Sequence, residues 1–266
     1  MDPLAVLKRN NVKTIGKGSK TLLFAHGFGC DQNVWQFVLG AFTDEYRIVL
    51  FDYTGSGNSE KSRYDSAKYA SIDGYVQDVL DICEALELKE TIFIGHSVSS
   101  MVGLLAAIKN PEYFEKLIFI GPSPRYLNAE NYEGGFEKED LDSLFEFMDS
   151  NYLGWSSAMA PAIMGNADRP ELGTLLTSNF CATDPQIARD FARVTFFSDN
   201  RTDLKNLTIK SLTLQCAQDI LAPLEVGKFV HAHTPGNEIV FLKATGHCPH
   251  ISAPDETIRA IKTFLN

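Results

Sequence analysis

Short apolar segments that alternate with segments of helical periodicity are the feature of this sequence that most constrains its fold. Each apolar segment is too short for a helix and is followed within four residues by glycine or aspartate, which is typical of a strand buried on both faces of a sheet. The predicted strands are Thr21–Ala25, Arg47–Phe51, Thr91–Ile94, Lys116–Ile120, Ser211–Cys216 and Glu238–Leu242. The segments of helical periodicity are Asp73–Leu88, Val98–Lys109 and Asp255–Leu265. This alternation predicts an α/β fold with a mostly parallel central sheet flanked by helices.

The alternation stops between Tyr126 and Leu207, where helix-like patches occur without a convincing strand. The aromatic side chains of this segment include Phe136, Phe145, Phe147, Trp155, Phe180, Phe191, Phe196 and Phe197. Such rings can pack helices against one another, or they can line a pocket beneath a helical cap at the carboxyl edge of the sheet, and both interpretations stay open. We therefore expect an α/β core of residues 1–125 and 208–266 with an inserted helical cap of residues 126–207.

A serine lies between a predicted strand and a predicted helix in the segment Ile94–Ser99. This is the context that the nucleophile-turn motif G-x-S-x-G requires, because the strained turn lifts the serine hydroxyl clear of the sheet. Ser99 replaces the final glycine, where a small side chain is needed so that helix and strand can approach closely. The pattern predicts that Ser97 is a nucleophile.

A serine nucleophile needs a base that a third group holds in place. His247 follows the last predicted strand in a Gly-His loop, and Asp219 follows the strand before it. Their order after Ser97 is the order found in strand-turn-helix hydrolases. Asp199 is a rival acid, although it is more simply a turn residue. His247 and His250 also form an H-x-x-H pair, but no third ligand is near, so we expect no metal.

Backbone donors for a developing oxyanion are expected in two places. One is the N–H of Val98, which follows the serine. The other is the N–H of Phe28 in the glycine-rich segment Ala25–Gly29, which follows the first predicted strand. In this position the Phe28 ring would also form one wall of the pocket.

Composition and charge exclude several other functions. The formal net charge of the 266 residues is −10 and no basic cluster offsets it, so nucleic acid binding is not expected. Met1–Val12 lacks the apolar core of a signal peptide, and no apolar run approaches the roughly 20 residues that cross a bilayer. The five cysteines are odd in number and scattered, which favours free thiols and a cytoplasmic location. No motif indicates a nucleotide or flavin, so no cofactor is expected.

Longer sequence blocks resemble one branch of the α/β-hydrolase family in particular. The matching blocks are Gly27–Gln32, Gly95–Ser99, Gly121–Asn128, Gly134–Glu137 and Gly246–His250. They resemble the stress-response regulator RsbQ of bacilli and the plant strigolactone and karrikin receptors, nearly end to end. Cys30 and the segment from His247 to His250 resemble the bacterial regulator, whereas Val98-Ser99 resembles the plant receptors. We expect the bacterial, RsbQ-like branch.

This resemblance implies a four-helix cap over a closed hydrophobic pocket and slow hydrolysis of a small ester-like or enol-ether ligand. It also implies a signalling or stress-response role through a protein partner. In the bacterial branch that partner is a phosphatase with a sensing domain, and in the plant branch it is an F-box protein. A metabolic carboxylesterase without a partner and a non-catalytic binding module are the alternatives. The expected pocket residues are Phe28, Tyr126, Phe136, Trp155 and Phe196.

Overall fold

A central sheet is the frame of the protein in the computed structural model, which describes residues 2–266. Over these residues the strand order is β1-β3-β2-β4-β5-β6-β7. The strands are β1 (Lys13–Gly16), β2 (Lys20–Ala25), β3 (Tyr46–Leu50), β4 (Thr91–His96), β5 (Phe114–Ile120), β6 (Lys210–Gln218) and β7 (Asn237–Thr245). The edge strand β1 is antiparallel to β3, and the other pairs are parallel. The predicted mostly parallel sheet is thus confirmed.

The six predicted strands correspond to β2 through β7, with each end within three residues of its predicted position. The expectation of burial on both faces is wrong for the edge strand β7, where Leu242 is buried but Val240 and Phe241 are exposed. The other strands were recognisable because alternate side chains enter two separate cores. Leu22 and Phe24 face one core, and Leu23 and Ala25 face the other. Strand β1 was not predicted, because its four side chains are all exposed and show no apolar pattern.

Helices cover both faces of the sheet. They are α1 (Pro3–Arg9), α2 (Gln36–Leu39), α3 (Ile72–Ala85), α4 (Val98–Lys109), α5 (Lys138–Ser150), α6 (Tyr152–Met164), α7 (Pro170–Ala182), α8 (Pro185–Phe197), α9 (Leu224–His233), α10 (Pro249–Ser252) and α11 (Pro254–Leu265). Helices α3 and α4 pack on one face, while α11 buries Ile261 and Phe264 on the other. Among the described residues, no helix combines the length and the apolar character needed to cross a membrane.

Helices α5 to α8 follow one another between β5 and β6. We call them the helical insertion. They occupy the stretch where the sequence predicts an inserted cap. Their amino ends carry clear start signals: Pro170 and Pro185 occupy the first helical positions of α7 and α8, and the side chain of Asp184 accepts hydrogen bonds from two backbone N–H groups of α8. Helix α6 packs against α7.

Candidate active site

The strand-to-helix turn at Ser97 has the strained geometry that the motif predicts. Ser97 lies between β4 and α4 with φ 57° and ψ −126°, a region that residues other than glycine rarely adopt. Its N–H donates to the carbonyl of Ile120 on the neighbouring strand at 2.8 Å. A Cβ atom on Gly95 would lie 2.5 Å from the backbone oxygen of Ser99. Strand and helix therefore approach so closely that the turn has little freedom to relax.

A buried imidazole–carboxylate pair lies at the ends of β6 and β7. His247 Nδ1 is 2.7 Å from Asp219 Oδ2, and both side chains are almost fully buried. The other carboxylate oxygen of Asp219 accepts hydrogen bonds from the N–H groups of Leu221 and Ala222 at 2.9 and 3.1 Å. The carboxylate places the proton of the neutral imidazole on Nδ1. His247 Nε2, which is buried without a hydrogen-bond partner among the described residues, is left as an acceptor.

Tyr126 contacts the serine directly. Its hydroxyl oxygen lies 3.2 Å from Ser97 Oγ. Burial raises the pKa of Tyr126 above its ordinary value, so the phenol stays protonated and able to donate a hydrogen bond. The sequence pointed to Tyr126 only as a pocket residue, and this contact with the serine was not predicted.

The loop after β2 is held by the imidazole of His26. The N–H of Tyr53 donates to His26 Nε2 at 3.3 Å, and His26 Nδ1 lies 2.9 Å from the carbonyl oxygen of Gly27. A backbone N–H only donates, so Nε2 is the acceptor and Nδ1 carries the proton that binds Gly27. In the same trans peptide, the N–H of Phe28 points away from that carbonyl. Burial lowers the pKa of His26, which keeps this arrangement neutral.

The two predicted oxyanion donors belong to two segments that adjoin the serine. A Cβ atom on Gly27 would lie 3.2 Å from Ser97 Cβ, so the loop that carries Phe28 packs directly on the nucleophile turn. Val98 is the first residue of α4, and its N–H therefore has no acceptor within the helix.

His96 connects the nucleophile turn to the histidine loop. Its Nε2 lies 2.8 Å from the backbone oxygen of His247, and because a carbonyl only accepts, His96 carries its proton on Nε2. Burial, with the nearby imidazoles of His250 and His247, lowers the pKa of His96 well below its ordinary value. The sequence reasoning assigned His96 no role, since nothing local to the motif reveals a contact with a residue so distant in the chain.

The helical insertion also holds the histidine loop. The N–H of His247 donates to the carbonyl of Ile163 near the end of α6 at 2.9 Å. The side-chain amide of Asn166 donates to the carbonyls of Met164 and Thr245, each at 2.9 Å. The position of His247 therefore depends on the corner between α6 and α7.

A small cavity lies beside Ser97, with a volume of about 20 Å³, enough for roughly one water molecule. Its lining residues are Phe28, Cys30, His96, Ser97, Tyr126, Leu144, Trp155, Met159, Ile163, Leu176, Phe180, Thr195, Phe196, Leu221, His247 and Cys248. These residues form the wall of the cavity. Trp155, Met159 and Ile163 are spaced four residues apart along α6, and this helical periodicity could have identified them as wall residues from the sequence.

Four of the five predicted pocket residues lie in this wall: Phe28, Tyr126, Trp155 and Phe196. Phe136 is not among the lining residues. It is half-buried, and its ring packs against that of Phe196 with 5.9 Å between centroids, so Phe136 supports the wall from outside. The ring of Phe28 in turn meets the rings of Trp155 and Phe196 edge-on at 6.2 and 6.4 Å. The wall is thus a continuous aromatic cluster.

The two cysteines in the wall behave as apolar side chains. Burial raises the pKa of Cys30 to about 12 and that of Cys248 well above its ordinary value. Since the thiolate is the reactive form of cysteine, neither thiol competes with Ser97 as a nucleophile. Within the described part of the chain, no group of three or more His, Cys, Asp or Glu side chains is arranged to hold a metal ion.

The rival acid Asp199 lies in a separate ion cluster. Its carboxylate is 2.8 Å from Arg201 and 2.5 Å from Arg125. Hydrogen bonds from Arg201, opposed by partial burial and assisted by Arg125, hold the pKa of Asp199 at about 2. This ion cluster joins the two chain segments that enter and leave the helical insertion.

Comparisons with known proteins agree with this architecture. A family profile described as "Alpha/beta hydrolase family" matches residues 22–260. Karrikin insensitive 2 receptor IA of Petunia hybrida is 39% identical over 260 residues, covering 96% of this chain and 93% of that protein. Strigolactone esterase D14 of Arabidopsis thaliana is 37% identical, covering 98% and 97%. The solved structure of olei00960, a hydrolase from Oleispira antarctica, superposes with a TM-score of 0.97 at 39% identity and covers 100% and 97% of the two chains. Together, the profile and these full-length relatives show that the chain belongs to the α/β-hydrolase family.

Proposed function

We propose that the protein is a serine hydrolase in which Ser97 is the nucleophile, His247 the base and Asp219 the group that orients the base. The observation that carries this proposal is the Asp219–His247 hydrogen bond, because it leaves a buried, unpartnered Nε2 in the same cavity as a serine on a strained turn. The proposed chemistry is hydrolysis of an ester-like bond.

In the first step His247 Nε2 accepts the hydroxyl proton while Ser97 Oγ forms a bond to the ligand carbonyl carbon. The N–H groups of Phe28 and Val98 stabilise the oxyanion. The intermediate collapses to an acyl-enzyme, and the leaving oxygen departs with the proton from His247. A water molecule then repeats the sequence, and Ser97 recovers its proton as the acid is released.

The ligand we propose is a small hydrophobic ester, or an enol ether that also carries an ester-type carbonyl group for Ser97 to attack. The aromatic, thioether and thiol side chains of the wall support an apolar ligand. The indole N–H of Trp155 is buried without a partner among the described residues, and it suits an oxygen at the far end of such a ligand. We propose that residues 126–207 act as a cap. The cavity volume of about 20 Å³ supports a further part of the proposal, that the cap opens before a ligand enters and that this opening makes turnover slow.

We further propose that the hydrolase serves signalling or a stress response through a protein partner. The support is full-length similarity to proteins named as a receptor and a strigolactone esterase. The RsbQ-like branch, with a phosphatase that carries a sensing domain as partner, rests on Cys30 and on the segment from His247 to His250. The free thiols, of which Cys181 is exposed, support a cytoplasmic location.

The direct test uses a serine-directed sulfonyl fluoride and a short p-nitrophenyl ester. We expect mass spectrometry to find the label on Ser97 alone. In Ser97→Ala, kcat should fall by about 10⁴–10⁶, whereas the control Ser157→Ala on the outer side of α6 keeps full activity. A label on another residue, or an active Ser97→Ala protein, would overturn the proposal. If the intact protein turns over a native ester rapidly and no partner binds it, a metabolic carboxylesterase is the correct function.

A further inference from the structure

Ser99 stands where the nucleophile-turn motif has its last glycine, and its hydroxyl reaches a different loop of the site. Ser99 Oγ donates to the backbone carbonyl of His26 at 2.5 Å and lies 2.8 Å from the hydroxyl of Tyr53. A carbonyl only accepts, so the Ser99 proton points to His26, and the Tyr53 hydroxyl donates to Ser99. All three residues are fully buried. The result is a directed chain of hydrogen bonds that ends on the loop carrying Phe28.

His26 is fixed on two sides by these contacts. Its imidazole accepts from the N–H of Tyr53 and donates to the carbonyl of Gly27, while its own carbonyl accepts from Ser99. The carbonyl oxygen of the Gly27–Phe28 peptide is therefore held by the imidazole of His26, and the carbonyl of His26 is held by Ser99 of α4. Tyr53 supports both contacts, because its N–H donates to the His26 imidazole and its hydroxyl donates to Ser99.

We propose that Ser99 is a positioning residue that aims the N–H of Phe28 at the oxyanion formed on Ser97. This proposal rests on the function proposed above. A glycine in this position cannot serve the same purpose, because it has no hydroxyl to hold the His26 carbonyl. The competing explanation is steric: α4 crosses β4 closely, as the contact of Gly95 with Ser99 shows, and any small residue would then suffice.

The two explanations predict opposite results for Ser99→Gly and Ser99→Ala. A steric role predicts that both variants keep full activity, since both side chains are smaller than serine. The positioning role predicts a loss, because a donor displaced by about 1 Å costs up to 10²-fold in rate and complete loss of an oxyanion donor costs about 10²–10³. We expect kcat on a p-nitrophenyl ester to fall by about 10- to 100-fold in both variants, with KM nearly unchanged.

The decisive readout is the affinity for an aryl boronic acid, which forms a tetrahedral adduct with a serine nucleophile, compared with the affinity for an unreactive ketone of the same shape. Boronate affinity should fall in step with kcat, whereas ketone affinity should stay within about twofold. Thr257→Ala is the control, because Thr257 is also fully buried but lies in α11, where its hydroxyl donates to the carbonyl of Ala253. This variant should keep the kcat of the unchanged protein.

Full kcat in Ser99→Gly, or equal losses of boronate and ketone affinity, would overturn the positioning role. Should Ser99→Ala fold poorly, Ser99→Gly carries the result, since it restores the usual motif. Failure of this inference is distinguishable from failure of the proposed function: sulfonyl fluoride still labels Ser97 when only the role of Ser99 is wrong.

Discussion

Three neighbouring positions of the motif, His96, Ser97 and Ser99, hold three parts of the candidate site. Ser97 presents the hydroxyl, His96 binds the backbone of His247, and Ser99 binds the backbone of His26. A displacement of this turn would therefore move Ser97 together with the proposed base and a proposed oxyanion donor. At the scale of single residues, the motif therefore connects the histidine loop to the loop that carries Phe28, in addition to presenting Ser97.

Substitution of the acid provides the test at this scale. Asp219→Asn keeps the size of the side chain but removes the charge that orients and stabilises the imidazolium of His247, so kcat should fall by about 10⁴. Asp199→Asn, a matched change in the ion cluster with Arg125 and Arg201, should leave kcat within about twofold. Steady-state kinetics on a p-nitrophenyl ester measures both, and the reverse ranking of the two variants would refute the assignment of Asp219.

Among the elements, α6 has two functions at once. It supplies Trp155, Met159 and Ile163 to the cavity wall, and its carboxyl end holds the histidine loop through the carbonyl of Ile163 and the amide of Asn166. Its geometry thus enters both the shape of the pocket and the position of the base.

Two asparagines at opposite ends of α6 separate these functions. Asn166→Ala removes the hydrogen bond to the carbonyl of Thr245, so we expect the histidine loop to loosen and kcat to fall by about tenfold or more, with little change in KM. Asn151→Ala is the control: Asn151 caps the amino end of the helix by accepting from the N–H of Gly154, and its loss should cost about 1 kcal/mol of stability without changing kcat. Steady-state kinetics and thermal melting of both variants provide the test. Equal kcat values would show that Asn166 does not position the histidine loop.

The sequence alone was sufficient to predict those strands and residues whose pattern lies within a few neighbouring positions. Strands β2 to β6 carry buried apolar runs. Ser97 and Asp219 follow directly on strand ends, and His247 follows β7 after one glycine. The contacts of His96 and Ser99 span 151 and 73 positions in the chain, so no local pattern reveals them. The difference between Phe196 in the wall and Phe136 behind it depends on how the insertion packs, which periodicity does not determine.

For the whole molecule, buried histidines make stability depend on pH. Burial, helped by the nearby His247, lowers the pKa of His250 from 6.5 to about 3, and burial also lowers the pKa values of His26 and His96. The unfolded chain binds protons at these positions as the pH falls below about 6.5, whereas the folded protein does not. The contribution of these histidines to stability is therefore fully present above that pH and is lost as the pH falls towards 3.

His250 is the best position at which to measure this effect. Neither of its ring nitrogens has a hydrogen-bond partner among the described residues, and its ring packs against Trp35 and His96, with 4.5 Å between centroids in each case. Between pH 6 and 4 the free energy of unfolding should fall less steeply with decreasing pH in His250→Phe than in the unchanged protein. The difference between the two slopes should be up to about 1.4 kcal/mol per pH unit. Urea unfolding at several pH values measures the slope. The exposed His231 gives a control, since His231→Phe should leave the slope unchanged, and an unchanged slope in His250→Phe would refute the prediction.

The nearly filled cavity beside Ser97 has a mechanical consequence. With a volume of about 20 Å³, the cavity is far below the roughly 300–1,000 Å³ of a typical small-molecule pocket. Each added carbon atom must be matched by an outward displacement of Phe28, Trp155 or Phe196, or of the helices that carry them. A larger ligand would therefore require a larger movement of the surrounding helices, so ligand bulk as well as ligand chemistry would decide which molecules enter.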